Sequence, residues 1–254
     1  MLRHDRRNAF GRWMFVSAAA YFLLHLYNIL YMLGESENPA ILIWRFAGSM
    51  GLAPGALPLI AALPAAAAFA QEWNSRFCVP AVLRAGRGRY IRSKILAAAV
   101  GGALAPALGK AAFSALLHAL YRGDAALAME LYGTEGMIGA AFAGAGGYAA
   151  YFAAALALQA LAGAAWALCG LAFSAFVPNV LWTVCLPLIL YRLYAQIFGF
   201  TGLPRWLNLT LLQDGEVGLS LPGALLAALA AFGVLGAAAA VLFNWRARRR
   251  LAYA

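Results

Sequence analysis

The stretch QEWNSRFCVPAVLRAGRGRYIRSK, residues 71–94, is a long polar interruption in a very apolar sequence, and the fold turns on its reading. It carries Arg76, Arg84, Arg87, Arg89, Arg92 and Lys94 against one acid, Glu72. An apolar run lies on each side, residues 51–70 before it and 95–120 after it. A helix needs about 20 apolar residues to cross a hydrocarbon core, and both runs reach that length. A basic connection between two spans belongs on the cytoplasmic side, because Lys and Arg in short loops set membrane orientation.

Composition points to the same class. The 254 residues are 65% hydrophobic and 11% charged, with mean hydropathy +0.77. Soluble domains carry about 25% charged residues. So few charges cannot cover a globular surface, but they suit a chain whose solvent is mostly lipid and whose backbone bonds within helices. The formal net charge of +10 would raise nucleic acid as a partner in a soluble protein. Here the basic residues gather at the ends of apolar runs, with no nucleic-acid motif or aromatic-rich basic groove, so no nucleic acid is expected. Cys78, Cys169 and Cys185 have no CxxC pair or neighbouring His, so neither a zinc site nor a disulfide framework is implied.

The remaining runs extend the pattern. Residues 13–33 form a first span, too long for the apolar core of a signal peptide and preceded by Arg3, Arg6, Arg7 and Arg12. The segment before it suits a short surface helix or a disordered tail. The span at 51–70 holds Pro54, Pro58 and Pro64 and is expected to bend. Residues 138–200 are too long for one crossing, and Phe176-Val177-Pro178-Asn179 divides them into spans at 147–173 and 180–198. A sixth span covers 221–243 and is followed by Arg246, Arg248, Arg249 and Arg250. The expectation is a single all-α transmembrane domain over 1–254, a polytopic integral membrane protein with six spans and both termini cytoplasmic. Basic residues then collect inside with only Asp5 and Glu72. The acids Glu35, Glu37, Asp124, Glu130, Glu135, Asp214 and Glu216 fall outside.

Polar residues at membrane depth are costly and therefore informative. Lys110 lies well within the third span, His25 within the first, and Gln159 within the fourth. Lys110 is a candidate for the substrate path, facing a polar cavity or an acidic group on a substrate; an ion pair inside the bundle or snorkelling to the interface are the alternatives. Catalytic motifs are missing from the sequence. Gly109-Lys110-Ala111 lacks the earlier glycine and the following Ser or Thr of a phosphate loop, and there is no HExxH or GxSxG. The chain is not expected to be an enzyme or to bind a metal.

Within 71–94, Trp73, Phe77 and Ala81 recur at helical spacing, and Pro80 is expected to end or kink the helix near Val79. The reading is a short amphipathic helix from Glu72 to about Val79, loosened after it by Gly86 and Gly88, then a basic approach to the third span. Glu72, Leu83, Gly86 and the run Arg89-Tyr90-Ile91-Arg92-Ser93-Lys94, together with the six-span layout, resemble the permease subunits of type-2 ATP-binding-cassette (ABC) exporters. In that family the loop after the second span carries a coupling helix that docks on the ATPase subunit. The resemblance implies a membrane-spanning subunit of the plasma membrane of a bacterium, working with a separate ATPase chain that holds ATP and Mg. It also implies a second permease subunit, as homo- or heterodimer. This chain would itself bind no cofactor. By position, the resemblance assigns Glu72, Trp73, Arg76 and Phe77 to ATPase docking, with Arg89 and Lys94 anchoring the loop at the membrane lipid surface. An ion-gradient-driven transporter, a membrane enzyme acting on lipid, and an accessory or immunity membrane protein are the competing classes. The first would want acids in the spans or an inverted repeat, and neither is seen.

Overall fold

The computed structural model describes Asp5 and residues 9–33, 52–120, 148–201, 204–214, 219 and 221–252. The acids expected in the connections at 34–38, 122–137 and 215–218 lie outside these residues. Regular structure among the described residues is helical: α1 (Arg12–Leu33), α2 (Leu52–Ala62), α3 (Ala68–Asn74), α4 (Cys78–Ala85), α5 (Arg87–Leu120), α6 (Tyr148–Ser174), α7 (Val180–Thr201), a 3-10 turn (Arg205–Leu207), α8 (Leu209–Asp214) and α9 (Leu221–Arg250). Five of these helices, α1, α5, α6, α7 and α9, are long and apolar enough to cross a membrane.

The expected second span differs from the other five. Residues 51–70 contain only the 11-residue helix α2, about 16 Å long at 1.5 Å per residue, before the chain turns through 63–67 and resumes as α3. Pro64 is the physical cause: it has no N–H to donate to Ile60, and its ring would meet that carbonyl in a continued helix. The turn still keeps helix-like bonds from Leu63 N to Leu59 O, Ala66 N to Ala62 O and Gln71 N to Ala67 O. The bend expected from the prolines is therefore a break.

At the centre of the bundle, α6 packs against α5, α9, α2, α7 and α8. Buried residues make up 61% of its apolar span, against 22% for those of α7 and α9. Its sequence explains the position, since Ala154, Leu158, Ala162, Ala165, Ala167, Leu171 and Ala172 all lie in the core. Where lipid removes the hydrophobic drive between helices, small residues bring backbones close enough for dispersion to act.

Three prolines inside helices each free a carbonyl four residues earlier, and the fold covers all three. Pro58 of α2 frees the Pro54 carbonyl, which accepts a bond from Gln213 Nε2 of α8 at 3.1 Å. Pro106 of α5 frees the Gly102 carbonyl, and Gly163 of α6 lies so close that a Cβ there would come within 2.2 Å of it. Pro187 of α7 frees the Thr183 carbonyl, and a Cβ on Gly170 of α6 would come within 2.8 Å. Gly163 and Gly170 stand seven residues apart on α6 and receive the two kinked neighbours. Only glycine allows that approach.

The break expected at 176–179 is observed. α6 ends at Ser174, and Asn179 starts α7 by accepting bonds at its Oδ1 from Leu181 N (2.9 Å) and Trp182 N (3.4 Å). Asparagine is among the best residues for this capping position.

Candidate functional site

Between the broken α2 and the long α5, the basic stretch forms two short helices where the sequence suggests one. α3 ends at Asn74, residues 75–77 turn, and α4 begins at Cys78. Trp73 and Phe77 therefore do not share a continuous helical face. In a single helix through this region the Pro80 ring would clash with the Arg76 carbonyl. The chain stops before Arg76, places that residue at φ 57, and restarts so that Pro80 occupies the first turn of α4, where a missing N–H costs nothing. A non-glycine residue in that left-handed region is strained by about 1–2 kcal/mol. Gly86 at φ 79 closes α4, and Gly88 sits in the first turn of α5.

Beneath α3 lies a buried ionic cluster that the sequence did not disclose. Lys94 Nζ is bonded to Asp5 Oδ1 at 2.5 Å and also to Glu72 Oε1. The second oxygen of each carboxylate is engaged as well. Ser93 Oγ donates to Asp5 Oδ2 at 2.5 Å, and Tyr90 Oη donates to Glu72 Oε2 at 2.7 Å. All five residues are buried, with Lys94 only 2% exposed and Glu72 only 5%. Lys94 also lies 5.2 Å from the centre of the Tyr90 ring. Charges removed from water survive only when paired and fully hydrogen-bonded, and this arrangement satisfies both carboxylates from one face of α5.

This placement revises the expected roles. Lys94, expected to anchor the loop at the lipid surface, is inside the protein, and Glu72, expected on a docking surface, is its buried partner. Trp73 is half-buried, stacked on Phe69 at 6.0 Å between ring centres and covered by the Arg250 guanidinium at 5.2 Å. Arg76 and Phe77 remain at the surface, and so does Arg89. Leu83 is 81% exposed and shares that surface with Arg84, Arg87 and Arg92. Both described acids of this end, Asp5 and Glu72, are spent inside on Lys94. The exposed face of the loop is basic with apolar residues set into it.

The last helix closes over the same end. Arg250 donates to the Phe176 carbonyl at 2.6 Å, and the Arg246 guanidinium lies 5.4 Å from the Phe176 ring centre. Asn74 Nδ2 donates to the Pro178 carbonyl at 2.8 Å. The loop, the α6–α7 turn and the end of α9 are thus tied together. Cys78, the first residue of α4, is buried beside the cluster; desolvation by burial, with the nearby Glu72 charge, pushes its thiol above the ordinary value against the pull of backbone hydrogen bonds and Lys94.

In the interior of the spans, Tyr21 Oη of α1 donates to Gln159 Oε1 of α6 at 2.6 Å. His25 meets Tyr21 edge-on at 4.6 Å and stacks on Phe113 of α5 at 4.9 Å. Lys110 is buried in α5, next to Gly109, which packs on the α1 backbone at Ala18. Among the described residues no group of three or more His, Cys, Asp or Glu could hold a metal ion.

Tyr90, Ser93 and Lys94 share a face, since positions i, i+3 and i+4 align on a helix, and that spacing is the one local signal of the cluster. Asp5 as their partner was not legible, because it lies 89 residues from Lys94 along the chain. No protein-family model, no curated protein and no solved structure matches this chain.

Proposed function

We propose that this chain is the membrane-spanning subunit of an ATP-driven exporter, and that a separate ATPase subunit docks on the α3–α4 loop. The observation that carries this reading is the α3–α4 pair itself. Two short helices and the turns beside them lie between a broken helix and a long one, with Phe77 and Leu83 exposed in the same stretch as exposed Arg76, Arg84, Arg87 and Arg89, while both described acids of this end are turned inward. An exposed apolar residue within a basic rim fits a groove with acidic edges on a soluble partner, since complementary charge steers and orients association.

In this reading α2 and α3 together, residues 52–74, make one broken crossing, which brings the count to six and returns both termini to the cytoplasmic side of the plasma membrane. A second permease subunit completes the path, and Lys110 lies along it. ATP and Mg belong to the ATPase partner. Nucleotide binding biases two arrangements of the spans, and the loop passes that bias on.

Co-purification in mild detergent tests the reading. The unaltered chain is expected to retain an ATPase subunit encoded beside it, and Arg76→Glu is expected to weaken that retention and uncouple hydrolysis from export. Full retention and normal export by Arg76→Glu would argue against docking at this surface.

A further inference from the structure

The covalent path from α3 to α5 is not one continuous helix. It runs through the turn at 75–77, where Arg76 is left-handed, then through α4, then through Gly86 at φ 79. On its other side, α3 joins α2 only through the turn at 63–67. These interruptions keep α3, α4 and α5 from forming a single continuous rod. The Asp5–Lys94–Glu72 cluster bypasses them by joining α3 directly to the first two turns of α5.

We infer that Lys94 is a positioning residue, which makes α3, Asp5 and the start of α5 one rigid body. Three donors at 90, 93 and 94 line one face of α5, and they saturate two carboxylates arriving from two other parts of the chain. Separating α3 from α5 would leave Glu72 buried without its cation, which makes opening of the joint expensive. Ala9 is held in place as well. Ala9 is fully buried against Ala65 and Ala97, and a Cβ on Gly101 would lie 3.5 Å from the Ala9 backbone. Movement of the loop is therefore shared at once by the 34-residue helix α5 and by Asp5. In its functional half this inference rests on the proposed docking of an ATPase subunit to the same loop.

The experiment compares the unaltered chain with Lys94→Met and the milder Glu72→Gln, each reconstituted with the ATPase subunit in vesicles. A second arm places Ala9→Cys in a chain whose Cys78, Cys169 and Cys185 are replaced by Ser, and follows maleimide labelling with and without Lys94→Met. The expected result is a fall in transport per ATP hydrolysed on the order of tenfold, with the ATPase still bound and still hydrolysing. Labelling at residue 9 is expected to quicken by about tenfold or more as the joint loosens. Transport and hydrolysis falling in parallel with the folded fraction, or coupling left unchanged in both variants, would overturn the inference. If no ATPase subunit binds the unaltered chain, the docking reading fails on its own. The labelling arm then decides the joint, with quickened labelling supporting it and unchanged protection overturning it.

Discussion

Lys94 illustrates why the surroundings of one side chain matter more here than its place in a basic run. Its ammonium is shared by two buried carboxylates, and each of those also accepts a hydroxyl bond. Removing one partner of a buried ion pair typically costs about 3–5 kcal/mol, because the other is left charged in a medium that cannot solvate it. Cys78 borders this cluster and reports on it. Its raised thiol pKa means that the neutral form is favoured in the folded state, a contribution present below the unfolded value and lost as pH rises through the folded one. Alkylation of Cys78 in the folded chain is accordingly expected to be slow near pH 8, and to accelerate at a higher pH than for an unfolded control. Mass spectrometry across a pH series, in a chain with Cys169 and Cys185 replaced by Ser, checks this. Equal pH profiles for folded and unfolded chain would contradict it.

At the scale of elements, the bundle is held by a repeated exchange between prolines and glycines. Pro106 and Pro187 bend α5 and α7 and free one carbonyl each, and α6 meets them at Gly163 and Gly170, where no side chain intervenes. Gly163→Leu and Gly170→Leu are each expected to destabilise the detergent-solubilised protein by about 1–3 kcal/mol or more through overpacking. Gly233 of α9 has open space where its Cβ would be, so Gly233→Leu serves as the control and should leave the melting temperature nearly unchanged. Comparable losses at all three positions would show that the carbonyl contacts are not what the glycines serve. The same logic explains Gln213, a buried polar residue of α8 whose amide reaches both the Pro54 carbonyl and Tyr191.

At the scale of the whole molecule, α6 organises the bundle, while α1, α7 and α9 present exposed apolar faces such as Leu23, Leu181, Leu193, Leu226 and Val234. In water these faces would drive aggregation; in lipid they are simply solvated. The last four crossings of the arrangement proposed above, α5, α6, α7 and α9, are checkable without any partner. Single cysteines at Arg84 and Arg249, both exposed, are expected to react with an impermeant maleimide from the cytoplasmic side only. A cysteine at Thr201, exposed at the far end of α7, is expected to react from the opposite side. Labelling of residues 84 and 249 from different sides would rule out an even number of crossings between them.

Long apolar runs, few charges and basic clusters at their ends were enough to read an all-helical chain suited to a membrane, and the structure has five helices long and apolar enough to cross one. The sequence by itself also located the division at 176–179, because proline and asparagine act within a few residues of themselves. It marked 71–94 as polar, but its apolar spacing suggested one helix ended near Val79 where the structure forms two, with Pro80 in the first turn of the second. Which basic residues face outward depends on how the chain folds. Arg76, Arg89 and Lys94 look alike along the chain, yet Lys94 is inside, because the donor face of α5 happens to meet Glu72 from α3 and Asp5 from far away. That residues 51–70 break at Pro64, where the sequence suggested only a bend, is a tertiary outcome, since a helix carries a proline only as its neighbours satisfy the backbone groups it frees. Pairings between distant segments leave no periodicity to read, and burial of a charge depends on which partners the fold delivers.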